Sequence, residues 1–212
     1  MNEVIGMAGA RSWLASAACA ALLLVAAGCD QGGQDIAESS PADQTARQEP
    51  ATAEATGEPA PAVDLDVSSD AFAEGEEIPA RHTCDGETAP LPLRWEGVPD
   101  QAVELALRMD DPDAPGGTFT HWTMTGIGPL ATGLEEGEIP AGAVQGSGDT
   151  GQVGYFGPCP PPGDDPHRYV ITVYALRAPI VLSGGFAPSE LDQALEQSGV
   201  IAEGTLTGVY GR

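Results

Sequence analysis

Gly154-Tyr155-Phe156-Gly157-Pro158-Cys159-Pro160-Pro161-Pro162-Gly163 leads, after three more residues, into His167-Arg168-Tyr169-Val170-Ile171-Thr172-Val173-Tyr174-Ala175-Leu176-Arg177. The first segment alternates residues that stiffen the backbone with residues that let other groups approach it closely, so it reads as a constrained loop. The second is rich in β-branched and aromatic side chains and predicts a strand over Arg168–Arg177. On a strand His167 and Tyr169 share one face and Arg168 takes the other, which suits Arg168 to a structural salt bridge. A stiff loop running into an imidazole and a phenol places several hydrogen-bond donors together, as a small anion requires.

Upstream, Val103–Met109 alternates apolar and polar residues, and Phe119–Ile127 is a second strand candidate. Between them stand Asp111-Pro112-Asp113-Ala114-Pro115, then His121-Trp122. Asp accepts backbone N–H bonds and Pro fixes φ, so this turn alone carries a structural reading. Leu91–Trp95 and Thr205–Tyr210 are weaker strands. One helix is expected, with Ser189 as N-cap, Leu191, Ala194, Leu195 and Ser198 on one face, and Gly199 as its stop. Short strands separated by Gly- and Pro-rich turns predict a mainly β domain with a central antiparallel sheet.

The N-terminal third reads differently. Arg11 precedes an apolar run, Trp13–Ala27, that closes on Ala26-Ala27-Gly28-Cys29. It falls short of the roughly 20 residues of a spanning helix and predicts a secretory signal over residues 1–28. Ala26-Ala27-Gly28-Cys29 resembles a bacterial lipobox, with Ala26 where Leu is commonest, and makes Cys29 the lipid-bearing residue. The alternative is an ordinary cleaved signal with an incidental cysteine. Residues 29–62 carry almost no large apolar side chains and predict a disordered tether. A domain follows over 63–212. The chain is thus expected outside the cytoplasm, anchored to the membrane through the N-terminal lipid alone. Asp30, directly after Cys29, resembles the inner-membrane retention signal of enterobacterial lipoproteins.

The formal net charge is −24, and all eight basic residues are arginine. That composition disfavours nucleic acid, whose phosphates call for basic patches, and electrostatic docking on anionic lipid. An anionic ligand must bind locally, against the overall field. Outside the signal and Cys29, only Cys84 and Cys159 remain. In an oxidising compartment they form either one disulfide or two free thiols bordering the same pocket.

The turn, the His-Trp pair, the Gly-Tyr-x-Gly-Pro loop and the closing His-Arg-Tyr occur in the order found in the phosphatidylethanolamine-binding protein family. Thr83-Cys84-Asp85-Gly86, Pro92 and Trp95-Glu96-Gly97-Val98-Pro99 look like its bacterial, Raf-kinase-inhibitor-like branch. The resemblance implies a central antiparallel sheet packed on a second small sheet, with a C-terminal helix. It further implies a pocket for a phosphate- or carboxylate-like group, formed from Asp111, Asp113, His121, Tyr155, Gly157, Cys159, His167 and Tyr169, and a cis bond at Ala114–Pro115.

In this reading Asp111 orients an imidazole, while His121, His167 and Tyr169 or Tyr155 donate to ligand oxygens. Backbone N–H groups near Gly157 and Cys159 complete a nest. Neighbouring carboxylates are expected to raise the histidine pKa values, so that anion affinity falls as pH rises. His82 is expected on the surface. No cofactor is implied. Metal binding is disfavoured because no H-x-x-x-H or C-x-x-C spacing occurs. No convincing catalytic constellation is present. A hydrolase would need Ser147 or Cys159 as nucleophile, and Cys159 is silenced if it pairs with Cys84. An inhibitor of a protease or another protein, using the same pocket, is the remaining alternative.

Overall fold

The computed structural model describes residues 63–212. The expected signal, the expected tether and Cys29 lie outside the described residues. The elements in chain order are β1 (Val63–Asp64), β2 (Asp66–Ser68), β3 (Leu93–Glu96), β4 (Glu104–Asp111), β5 (Phe119–Ile127), β6 (Gly133–Leu134), β7 (Val144–Gln145), β8 (His167–Leu176), α1 (Pro188–Ser198) and β9 (Val200–Tyr210).

Six strands form one sheet in the order β1-β9-β8-β4-β5-β7, and β2-β3-β6 form a second. All neighbours are antiparallel except β1 and β9. This is the expected mainly β architecture, with a large sheet, a small sheet and a helix near the C-terminus.

The core lies between the sheets. Leu105, Leu107 and Met109 of β4, Trp122 and Met124 of β5, and Ile171 and Val173 of β8 meet Val67, Leu93, Trp95 and Leu134 of the small sheet. Each such side chain contributes about 1.5–3 kcal/mol on burial. Strict alternation along β8 sends His167, Tyr169, Ile171 and Val173 to this face and leaves Arg168 exposed.

The opposite face of the large sheet carries α1. Leu191 packs there with Ala106, Leu176, Ile180 and Phe186, and Arg108 of β4 bonds Asp192 of the helix. Ser189 is not the N-cap. Pro188 occupies the first helical position, where its missing N–H costs nothing, and Ala187 precedes it. The Glu190 carboxylate reaches back to accept the Ala187 N–H at 2.7 Å. Gly199, in the left-handed region at φ 70°, ends the helix as expected and turns the chain directly into β9. That strand therefore begins five residues before the expected Thr205.

Candidate functional site

Three strands deliver the expected residues to one end of the large sheet. On β4 the core-facing set Leu105, Leu107 and Met109 continues by alternation to Asp111, which is buried. On β8 the same alternation places His167 and Tyr169 on that face.

His121 arrives by another route. Met109 pairs with Trp122, but Asp110 pairs with Thr120, so His121 is an extra residue without a partner across the ladder. Such a bulge re-aims a side chain. Here it turns the ring to the core side, where its centroid lies 5.2 Å from that of Tyr169, edge to face. Phe156 stacks on the ring and Phe119 tilts against it.

The polar contacts at this end are specific. Asp111 Oδ2 accepts from His167 Nδ1 at 2.7 Å, and Oδ1 accepts the Asp113 N–H at 2.9 Å. One carboxylate thus fixes the imidazole and the acidic turn together. His121 Nδ1 lies 2.8 Å from the Phe156 carbonyl oxygen. A carbonyl only accepts, so this nitrogen carries the proton and Nε2 is the ring's free atom.

Burial holds the His121 pKa below its ordinary value, outweighing the Phe156 carbonyl and the charges of Asp111, Asp110 and Asp149. The expected upward shift is therefore reversed at His121, because desolvation disfavours the charged ring more than the carboxylates favour it. Tyr169 is fully buried. Its hydroxyl lies beside the Asp111 carboxyl and the Cys159 backbone, with neither contact in full hydrogen-bond geometry. Burial, and then the charge of Asp111, push its pKa upward. A buried hydroxyl without a well-formed hydrogen bond is uncommon and marks a place for a further polar partner.

The loop after β7 is stitched in place. Phe156 N–H donates to the His121 carbonyl at 3.1 Å, and Cys84 N–H donates to the Pro158 carbonyl at 3.0 Å. Cys84 and Cys159 form a disulfide, with Cα atoms 5.3 Å apart. Gly157 serves this closure. A Cβ there would stand 2.6 Å from the His82 carbonyl oxygen and 3.1 Å from Thr83 Cα.

Beside this group lies a hollow of about 550 Å³ lined by Asp113, Asp164, Asp165, Pro166, His167 and Arg168. His167 Nε2 faces Asp164 Oδ2 across 4.0 Å. Arg168 is bound to Asp113 through its backbone N–H, Nε and guanidinium nitrogen. These bonds hold the Asp113 carboxyl down to about 2, and they consume the one positive charge on the wall.

Asp111, His121, His167, Tyr169 and Cys159 are therefore brought together. Asp113 lines the hollow with His167 while its carboxylate holds Arg168. Three further expectations are corrected. Tyr155 donates its hydroxyl to the His82 carbonyl at 2.8 Å and packs edge-on to Trp122, so it is a buried strut. His82 is buried, its Nδ1 bound to the Ala89 carbonyl at 2.8 Å. Every peptide bond among the described residues is trans, Ala114–Pro115 included.

His121 borders the cluster but not the hollow. Asp164, Phe119 and Phe156 belong to the neighbourhood without having been singled out in sequence; the Asp164-Asp165 pair directly before Pro166-His167 was the available signal. Among the described residues no group of three or more His, Cys, Asp or Glu is placed to hold a metal ion.

Known proteins resemble this chain over the described domain. The profile of the phosphatidylethanolamine-binding protein family matches residues 68–211. A UPF0098 protein of Methanothermobacter thermautotrophicus is 44% identical over 153 residues, covering 70% of this chain and 99% of that protein. LppC, a provisionally named lipoprotein of Mycobacterium tuberculosis, is 40% identical over 179 residues, covering 84% of this chain and 86% of its own. The crystal structure of E. coli YbcL, described as a new member of the mammalian family, superposes with a TM-score of 0.67 at 32% identity, covering 71% of this chain and 99% of YbcL.

Proposed function

The chain belongs to the phosphatidylethanolamine-binding protein family, and on that premise we propose that it binds a small phosphate- or carboxylate-bearing ligand at the Asp111–His167 end of the large sheet. The observation that carries the reading is the buried Asp111–His167 pair at the edge of the hollow, with the weakly partnered Tyr169 hydroxyl and the His121 ring beside it. A ligand in the hollow meets the free Nε2 of His167 first, and to engage the Tyr169 hydroxyl and the His121 ring it must reach past the present lining. The family fold supplies the rigidity that such a preset arrangement needs.

The site binds rather than transforms. The Cys159 thiol is committed to Cys84, which removes the nucleophile of a cysteine-dependent hydrolase. The Ser147 hydroxyl bonds the Phe186 carbonyl at 3.2 Å, not an imidazole.

The domain acts outside the cytoplasmic membrane, held by a lipid on Cys29. Two observations support this placement. The similarity to LppC covers 84% of the chain, more than residues 63–212 alone supply. Among the described residues no helix is long and apolar enough to cross a membrane. Labelling with a fatty-acid analogue tests it: the label is expected on the chain and absent from Cys29→Ala, and equal labelling of both would refute the tether.

Calorimetric titration of the full chain with inorganic phosphate at pH 6 tests the site. Saturable binding is expected, with His121→Ala and His167→Ala each weakening it about tenfold or more, the scale of a hydrogen bond to a charged group. Undiminished binding by both variants would remove the site from this end of the sheet.

A further inference from the structure

Resting on that anion-site reading, we infer that Asp149 is the positioning residue that aims His121 into the site, by clamping the bulge of β5. The register carries the inference. Met109 pairs with Trp122, and Asp110 pairs with Thr120. Were β5 to slip into even pairing, Asp110 would face His121 instead. Alternation would then turn that ring to the helix side of the sheet, because a slip of one residue exchanges the faces. His121 meets Tyr169 and Phe156 only while the shifted register holds.

A bulge leaves a residue outside the ladder, and the backbone groups around it need partners from elsewhere. β7 pairs with β5 only at Met124 and Thr125, so it stops short of the bulge. The segment after β7 closes that edge instead. Thr120 N–H donates to Asp149 Oδ2 at 2.7 Å, and Asp149 N–H donates back to the Thr120 carbonyl at 2.9 Å. The next residue is gripped in the same double fashion. Phe156 N–H donates to the His121 carbonyl, and the Phe156 carbonyl accepts from the His121 ring.

The two grips do different things. The Phe156 bonds are made by His121 itself, so they hold the residue wherever the register puts it. Asp149 holds the neighbour, Thr120, and thereby fixes which residue meets Asp110. The Thr120 hydroxyl donates to Asp110 at 2.8 Å and accepts from Arg108 at 3.0 Å. Those bonds tie the side chain to β4 and leave the backbone at the outer edge to Asp149. Gly148 lets the clamp close, since a Cβ there would stand 2.6 Å from the Thr120 carbonyl oxygen. Asp149 itself is exposed, so trimming it opens no cavity. Its charge also reaches the His121 ring, and the test must separate charge from hydrogen bond.

Three variants of the full chain do so. Asp149→Asn keeps an acceptor in place without the charge. Asp149→Glu keeps the charge and moves the acceptor by one methylene. Asp149→Ala removes both. Two readouts are taken: NMR through-space contacts between the His121 and Tyr169 rings without ligand, and calorimetric titration with inorganic phosphate at pH 6. In Asp149→Ala the ring contacts should weaken and phosphate binding should fall about fivefold or more, the consequence of a loosened site. Asp149→Glu should follow Ala, and Asp149→Asn should recover the contacts and most of the affinity. The His167 ring, held from β4 by Asp111, should keep its resonances throughout. Should Asp149→Ala fail to fold, the contrast between Asn and Glu decides alone. Wild-type contacts and affinity in both Ala and Glu overturn the inference, as does rescue by Glu and not by Asn. Equal disturbance of His167 and His121 also overturns it, because the clamp would then only stabilise that end of the sheet. Ring contacts that respond as expected in a protein that binds no phosphate overturn the anion site and leave the clamp standing.

Discussion

Asp111 and His167 stand 56 positions apart in the chain, yet Oδ2 of one and Nδ1 of the other meet at 2.7 Å in the interior. Both side chains are buried. The contact fixes the ring's orientation and satisfies that carboxylate oxygen. Asp111→Asn keeps the volume and removes the charge. It is expected to lower unfolding free energy by about 1.5–3 kcal/mol, the range for a hydrogen bond to a charged group, and to weaken phosphate binding. Denaturant unfolding and calorimetry measure the two effects. Unchanged values in both would reduce the pair to a passive contact.

Asp113 and Arg168 are the exposed counterpart. The arginine's hydrogen bonds hold the Asp113 carboxyl down to about 2, below the usual 3.9 of an unfolded aspartate. A depressed pKa means that the unfolded chain binds the proton first. The stabilisation is therefore complete above about pH 4 and is lost as pH falls through the folded value. Because both side chains are solvent-accessible, the contribution is small and salt-sensitive. The difference in thermal midpoint between the wild type and Arg168→Ala should accordingly shrink as pH falls from about 4 toward about 1. A difference undiminished at about pH 1 would assign Arg168 a packing role.

The long strands β4, β5 and β8 were legible in sequence because each alternates or carries β-branched residues over eight or more positions. The two-residue strands β1, β6 and β7 were not, since a period cannot show itself in so short a span. The resemblance located Asp111, His121 and His167, but it did not reveal how His121 reaches the others. In Phe119–Ile127 simple alternation sets His121 opposite Trp122, and only the bulge against Met109 and Asp110 turns both to one side. Tyr155 was misread because a polar tip near a motif looks like a ligand donor until a backbone carbonyl is found to satisfy it; His82 was set on the surface because nothing in sequence shows the Ala89 carbonyl that holds its ring inside.

Gly157 offers a test of the loop's closure. It needs no unusual φ, so its requirement is space alone. Gly157→Ala would press a methyl group into the His82 carbonyl and the Thr83 backbone, which a flexible side chain cannot relieve. A loss of about 1–3 kcal/mol is expected, the cost of overpacking. Removing the disulfide that spans the same junction should cost more. With 75 positions between Cys84 and Cys159, loop-closure entropy gives about 4 kcal/mol. Denaturant midpoints of Gly157→Ala and of the Cys84→Ala/Cys159→Ala double variant rank the two. A tolerated Gly157→Ala would mean that the 82–84 turn can shift.

His121 allows the site's protonation to be read directly. Its pKa is held below 6.5 because burial among Phe119, Phe156 and Tyr169 penalises the imidazolium more than the nearby carboxylates reward it. As pH falls from 7 toward 5, the unfolded chain takes up a proton at this residue that the folded chain resists, so His121 makes stability decline with falling pH. In His121→Phe, which keeps an aromatic ring in the cage, that decline should be shallower whatever the absolute stability of the variant. An NMR titration of the ligand-free protein should place the His121 midpoint below 6.5. Added phosphate should move it upward, because a negative charge near the ring favours the imidazolium. A midpoint above 6.5 without ligand would mean that the carboxylates outweigh desolvation.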